Sequence, residues 1–150
     1  MWLSTVSYST ILSMRRFIGV FVLLTFCCVV HAVQLAPLQA HLEKQLKTWQ
    51  KRLGLEEWDL SLQVVRKSAL DQDTWGNAEW DSDSKSGVIS VLDPQDYNLK
   101  GSELKRDMEC TIVHELVHIQ VSPLDSGDPQ AHEEVVNRIM GALLNRPCPN

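Results

Sequence analysis

The sequence has no excess of positive charge, no internal repeat and no low-complexity segment. Its 150 residues contain 14 lysines and arginines against 19 aspartates and glutamates, a net charge of −5. A phosphate-binding surface needs the opposite balance, so nucleic acid is not an expected partner. The hydrophobic fraction of 44% and the charged fraction of 22% exclude collagen, coiled coil and wholesale disorder. The length fits one compact globular domain.

Acidic residues and lysines are missing from the first 42 residues, where the only charged side chains are Arg15 and Arg16. These two are followed by fourteen uncharged residues, FIGVFVLLTFCCVV, and then by His31 and Ala32. A basic start, a short apolar run and a small residue at the end are typical of a secretory signal peptide. As a helix, fourteen residues reach about 21 Å, short of the roughly 30 Å hydrocarbon core of a membrane.

This pattern predicts a signal peptide at residues 1–32 and an exported domain at residues 33–150. Met14 is an alternative start, because the sequence from there already forms a complete signal. The expected location is secreted or periplasmic, with no stable membrane insertion once the signal is removed. An uncleaved N-terminal anchor is the alternative interpretation.

Hydrophobic periodicity predicts three helices and three strands in the exported domain. Apolar residues recur every three or four positions in the helical segments and alternate with polar residues in the strands. In chain order, the predicted elements are a helix at 35–53, strands at 58–65, 78–80 and 87–92, a helix from an N-cap at Ser102, a loop at 121–129 and a helix at 130–145. The second helix is apolar on two flanks, so it should be buried at the centre. We expect an α+β domain with a mostly antiparallel sheet.

The predicted central helix contains His114-Glu115-Leu116-Val117-His118, an H-E-x-x-H motif. Positions four apart lie about 40° around a helix and about 6 Å along it, so both histidines can bind one zinc ion. Glu115 is predicted to be the general base, taking a proton from a zinc-activated water and passing it to the leaving amine. The motif arises by chance in a chain of this composition with a probability on the order of 1%.

A third protein ligand is expected, because catalytic zinc sites usually have three. The last predicted helix offers His132, Glu133 and Glu134. On a helical wheel with Val136 at about 0°, Glu133 falls near 60° and His132 near 320°, both toward the core, while Glu134 falls near 160° and points outward. The wheel therefore favours Glu133 and His132, and Glu134 stays open because a shift of one residue rotates the helix by about 100°.

HELVH, a following loop and a second helix with HEEVVNRIMGALL resemble the zincin metallopeptidases. In layout, residues 55–145 resemble the minimal Glu-zincins of the ImmA/IrrE and SprT-like types. The resemblance implies a small zincin-like α+β domain, Zn²⁺ as cofactor, Glu115 as the base, and Glu133 as the third ligand beside His114 and His118. It leaves His132 as a group beside the ligands. The H-x-x-G-x-x-H continuation of the metzincins is missing, since IQVSPLDSG follows His118.

Cysteine is scarce, and two of the four cysteines lie in the predicted signal peptide. The remaining two, Cys110 and Cys148, most simply form a disulfide in an exported chain. On the chain-entropy model, closing a loop of about 38 residues stabilises the fold by roughly 3–4 kcal/mol. In the alternative interpretation, Cys110 is a fourth metal ligand, because it precedes His114 by four residues.

The predicted function is hydrolysis of amide bonds in a peptide or protein substrate by an exported zinc metallopeptidase. Two alternatives stay open, a zinc-stabilised binding module without turnover and a cell-wall amidase that acts on peptidoglycan. The aromatic residues Trp75 and Trp80 are expected in the core, with a substrate cleft as the alternative. Tyr97 is expected to be structural, with a hydrogen bond to the oxyanion as its alternative role.

Overall fold

The computed structural model describes residues 36–124 and 127–149. The predicted signal peptide, with its alternative start at Met14, lies outside the described residues. Residues Gln39–Asn150 form one compact unit, which holds the sheet and the two later helices. None of the helices among the described residues combines the length and hydrophobicity that a membrane span requires.

The described residues contain three α-helices, as predicted: α1 at residues 36–52, α2 at Gly101–Val121 and α3 at Pro129–Leu144. The α1 stripe buries Leu42, Leu46 and Trp49, because these residues recur at helical spacing on one face. Gly54 follows α1 with a φ of +69°, a left-handed conformation that glycine adopts without strain.

Helix α2 is buried at the centre of the domain, as its two apolar flanks predict. Its fully buried side chains include Met108, Ile112, Val113 and Leu116. The helix begins earlier than expected, with its N-cap at Lys100, so the prediction of Ser102 as the cap is wrong. The position of a cap depends on where the preceding turn delivers the chain, and periodicity does not report it.

The three strands are β1 at Asp59–Val65, β2 at Gly76–Asp81 and β3 at Ser86–Leu92. Their order in the sheet is β1-β3-β2, with β2 antiparallel and β1 parallel to β3. The sheet is therefore mixed, and the prediction of a mostly antiparallel sheet is wrong for one of its two strand pairs. The overall class, α+β, is confirmed.

A tight hairpin joins β2 to β3, and this explains why the direction of that strand pair was predictable while the direction of β1 relative to β3 was not. The Asp81 carboxylate accepts hydrogen bonds from the backbone N–H groups of Asp83 and Ser84, at 2.8 and 3.2 Å. These bonds fix the turn between β2 and β3, and they lower the pKa of Asp81. The placement of β1 beside β3 instead depends on burial of Leu60 and Leu62 with Ile89 in the core.

Candidate metal centre

Two helices supply the side chains of the predicted site. In α2, which packs against β2, β3 and α3, His114, Glu115 and His118 lie within two turns. Helix α3 begins just before Glu133, where the Asp128 side chain accepts hydrogen bonds from the backbone N–H groups of the first turn. Contacts of His132 and Glu133 with His118 place the first turn of α3 beside the C-terminal half of α2.

His114, His118 and Glu133 bring three acceptor atoms together. The Nε2 atoms of the two histidines are 3.0 Å apart. One Glu133 carboxylate oxygen lies 3.1 Å from Nε2 of His118, and the other lies 3.5 Å from Nε2 of His114. One potential ligand atom from each residue lies within 4.8 Å of the other two, so the three could hold one metal ion.

The electrostatics of this cluster fit a bound cation. Burial lowers the pKa of His114 and of His118, although the Glu133 carboxylate acts in the opposite direction on both. Neutral imidazoles have a free lone pair, which is the form that binds a metal. Two imidazole nitrogens and a carboxylate are a donor set that suits zinc and other first-row divalent ions.

Glu115 is buried beside the cluster, with 8% of its surface exposed. Burial, and then the charge of Glu133, raise the pKa of Glu115 from 4.5 to about 7. A carboxylate with this pKa can both accept and release a proton near neutral pH. Gly76 of β2 faces it, since a Cβ there would lie 3.5 Å from Glu115 Oε1 and only 2.6 Å from the Ser90 carbonyl oxygen.

The other two candidates for the third ligand lie elsewhere. His132 points its Nε2 at Nδ1 of His118, at 2.9 Å, and so contacts the outer edge of that ring. Glu134 is exposed and forms an ion pair with Arg138 at 3.5 Å. Among the residues that the structure describes, Glu133 is the one that joins the two motif histidines.

A cavity of about 540 Å³ opens over these residues. Its lining includes His114, Glu115 and Glu133, together with Trp75 and Trp80, which are each 38% exposed. The two tryptophans thus border the cavity, contrary to the expectation that they pack in the core.

Tyr97 is a core residue. It is 7% exposed, and its ring lies 5.2 Å from the ring of Trp75. Burial and the nearby Asp107 carboxylate raise the pKa of its hydroxyl. The cavity lining does not include it, so its position agrees with a structural role.

The N-terminal half of α2 is tied to the chain on either side of it. Cys110 and Cys148 form a disulfide, so the Cys110 sulfur is not available as a metal ligand in this structure. The adjacent Glu109 accepts a hydrogen bond from Trp49 Nε1 at 2.9 Å and forms an ion pair with Arg146. These contacts join α1 and the C-terminal tail to α2.

Two residues near the site and one ion pair of α2 were missed from the sequence. Asn137 forms a side-chain hydrogen bond with His114, and its position four residues after Glu133 on α3 was a usable signal. Gly76 carried no such signal, because it lies outside the predicted strand at 78–80 and only the structure places it at the start of β2. The pairing of Glu109 with Arg146 had no local signal, since 37 residues separate them.

The arrangement can hold a divalent cation next to a buried carboxylate at the wall of an open cavity. Such sites allow a substrate to reach both the metal and a proton acceptor. No family model matches the sequence, and comparisons with curated proteins and with solved structures found no match.

Proposed function

We propose that the protein is a zinc-dependent metallopeptidase of the zincin type. The observation that carries this proposal is the convergence of His114, His118 and Glu133 beside a buried Glu115 in one cavity. In this assignment the first three residues hold the ion. Bound zinc would supply a Lewis acid that polarises the substrate carbonyl and lowers the pKa of water.

Glu115 acts as the general base and then as the general acid. Its raised pKa suits removal of a proton from the attacking water, because the carboxylate is ionised in part of the molecules at neutral pH. The protonated carboxyl group then donates this proton to the nitrogen of the leaving amine. Burial against Gly76 keeps the carboxylate away from bulk solvent.

The substrate is proposed to be an extended peptide or protein segment. Strand β2 is an edge strand, and Gly76, Asn77, Ala78 and Trp80 from it line the cavity. An extended peptide can add to such an edge through main-chain hydrogen bonds. Pairing with β2 would therefore position a peptide bond of the substrate beside the cluster of His114, His118 and Glu133.

Export is part of the proposal. Disulfides persist in oxidising compartments and are rare in the cytosol, so the Cys110–Cys148 bond supports a secreted or periplasmic location. A signal peptide at residues 1–32 would supply the route.

The test combines zinc analysis with hydrolysis of an unstructured protein such as casein. We expect about one zinc per chain, and activity that a chelator removes and added zinc restores. Glu115→Gln should keep the zinc and lose about 10²–10⁴-fold in turnover, because it removes the proton acceptor and no ligand. Glu134→Gln is the matched control, since Glu134 is exposed and pairs with Arg138.

Loss of zinc in Glu115→Gln would contradict this assignment of roles. Zinc binding with no turnover of any peptide would instead establish a binding module. Hydrolysis of peptidoglycan without hydrolysis of casein would identify a cell-wall amidase.

A further inference from the structure

His132 lies on the first turn of α3, one residue before the proposed ligand Glu133. Its Nε2 is 2.9 Å from Nδ1 of His118, and the planes of the two rings are within 18° of each other. The opposite edge of the His118 ring presents Nε2 to Glu133 and His114, at 3.1 and 3.0 Å. The two consecutive residues of α3 therefore contact the two opposite edges of one imidazole ring.

A neutral imidazole has one N–H group and one lone pair, and only the lone pair can bind a metal. The nitrogen that carries the proton is set by the hydrogen bond that the other edge of the ring makes. At His118, an acceptor placed at Nδ1 competes for the proton with the Glu133 carboxylate at Nε2, and a proton held at Nδ1 leaves the lone pair on Nε2. His132 Nε2 occupies the acceptor position at Nδ1.

The surroundings of His118 favour a protein acceptor. The His118 side chain is only 14% exposed, so bulk water reaches it poorly. A buried N–H without an acceptor costs about 1–3 kcal/mol, which would favour the wrong tautomer or a rotated ring. The other motif histidine, His114, has a comparable contact from α3, a side-chain hydrogen bond with Asn137.

We propose that His132 is a positioning residue that accepts the Nδ1 proton of His118 and thereby directs the His118 Nε2 lone pair at the metal. The proposal rests on the metal site proposed above. It assigns His132 no contact with the metal and none with the substrate. Contacts of this kind to a ligating histidine typically contribute 10–100-fold to metal affinity.

The test compares His132→Leu, which removes the acceptor, with His132→Gln, which keeps an acceptor of similar reach. Two-bond nitrogen–proton NMR spectra of zinc-free protein, recorded above the ordinary histidine pKa, report which His118 nitrogen carries the proton. A competing chelator measures the zinc affinity of the same samples. His41→Leu, a change in a histidine of α1, is the control.

We expect the proton on Nδ1 of His118 in the wild type and in His132→Gln, and a mixture of tautomers in His132→Leu. Zinc affinity should fall 10–100-fold in His132→Leu, and His132→Gln should recover most of it. An unchanged tautomer and an unchanged affinity in His132→Leu would overturn the proposal.

A proton on Nε2 of His118 in the wild type would also overturn it, and this measurement decides the matter if His132→Leu does not fold. A wild-type protein that binds no zinc would overturn the metal site itself. The tautomer is measured without zinc, so the two failures can be told apart.

Discussion

The two halves of helix α2 are chemically opposite, and the C-terminal half is the more buried one. In the N-terminal half, Glu109 faces an arginine and an indole N–H, and the Cys110 thiol is joined to another cysteine. In the C-terminal half, His114 and His118 face each other and the Glu133 carboxylate, so three potential metal-ligand atoms converge.

The difference separates a region of complementary pairs from the candidate metal centre. Groups that meet complementary partners stabilise the fold, whereas two imidazole nitrogens and a carboxylate at this spacing favour a cation or a proton between them. Four predictions test this division, two at the site and two at the ties.

The largest effect is expected from Glu133→Ala. Removing the third ligand should weaken zinc binding by more than the 10–100-fold that follows loss of a supporting contact, and should abolish hydrolysis. Glu134→Ala, one residue along α3, is the matched control and should change neither. Zinc titration against a chelator measures both variants. If Glu134→Ala is instead the variant that loses zinc, the assignment of Glu133 as the ligand is wrong.

The next effect is on stability. The double variant Cys110→Ser and Cys148→Ser should lose about 3–4 kcal/mol of unfolding free energy, because the disulfide no longer closes the loop between two cysteines that are 38 residues apart. Denaturant unfolding measures this loss. Zinc affinity below the unfolding midpoint should stay close to that of the wild type. A large loss of zinc affinity in the folded variant would show that the two halves of α2 are not separable.

A pH effect follows from Glu115. Because its pKa is raised from 4.5 to about 7, the folded metal-free protein retains a proton that the unfolded chain releases in this window. The wild type should therefore lose stability relative to Glu115→Gln as pH rises from 4.5 to 7, by up to about 3 kcal/mol. Denaturant unfolding of both proteins in chelator, at several pH values, gives this difference. A difference that does not change with pH would contradict the raised pKa.

The smallest effect is expected from Glu109→Gln. The variant keeps a carbonyl acceptor for Trp49 but loses the charge opposite Arg146, so the free energy of unfolding should fall by about 1–2 kcal/mol. Glu103→Gln, an exposed change in the first turn of α2, serves as a control for charge alone. Equal losses in the two variants would show that the Glu109 contacts contribute nothing specific.

Much of the fold could be predicted, because the signals were local. The periodicity of Leu42, Leu46 and Trp49 marks one face of a helix whatever the rest of the chain does. The alternation of Leu60 and Leu62 with polar residues marks a strand in the same way. The direction of β1 relative to β3 had no local signal, since it depends on how the chain between them crosses the sheet.

By itself, the sequence determined which residues of α2 share the site. Four-residue spacing places His114 and His118 on one helical face, and this placement follows from helix geometry alone. Only the tertiary structure decided the partners from α3. Adjacent positions on a helix differ by about 100°, so a shift of one residue exchanges Glu133 for a neighbour. Packing of Val136 in the core sets that rotation, and with it the positions of Glu133 and His132 relative to the two histidines.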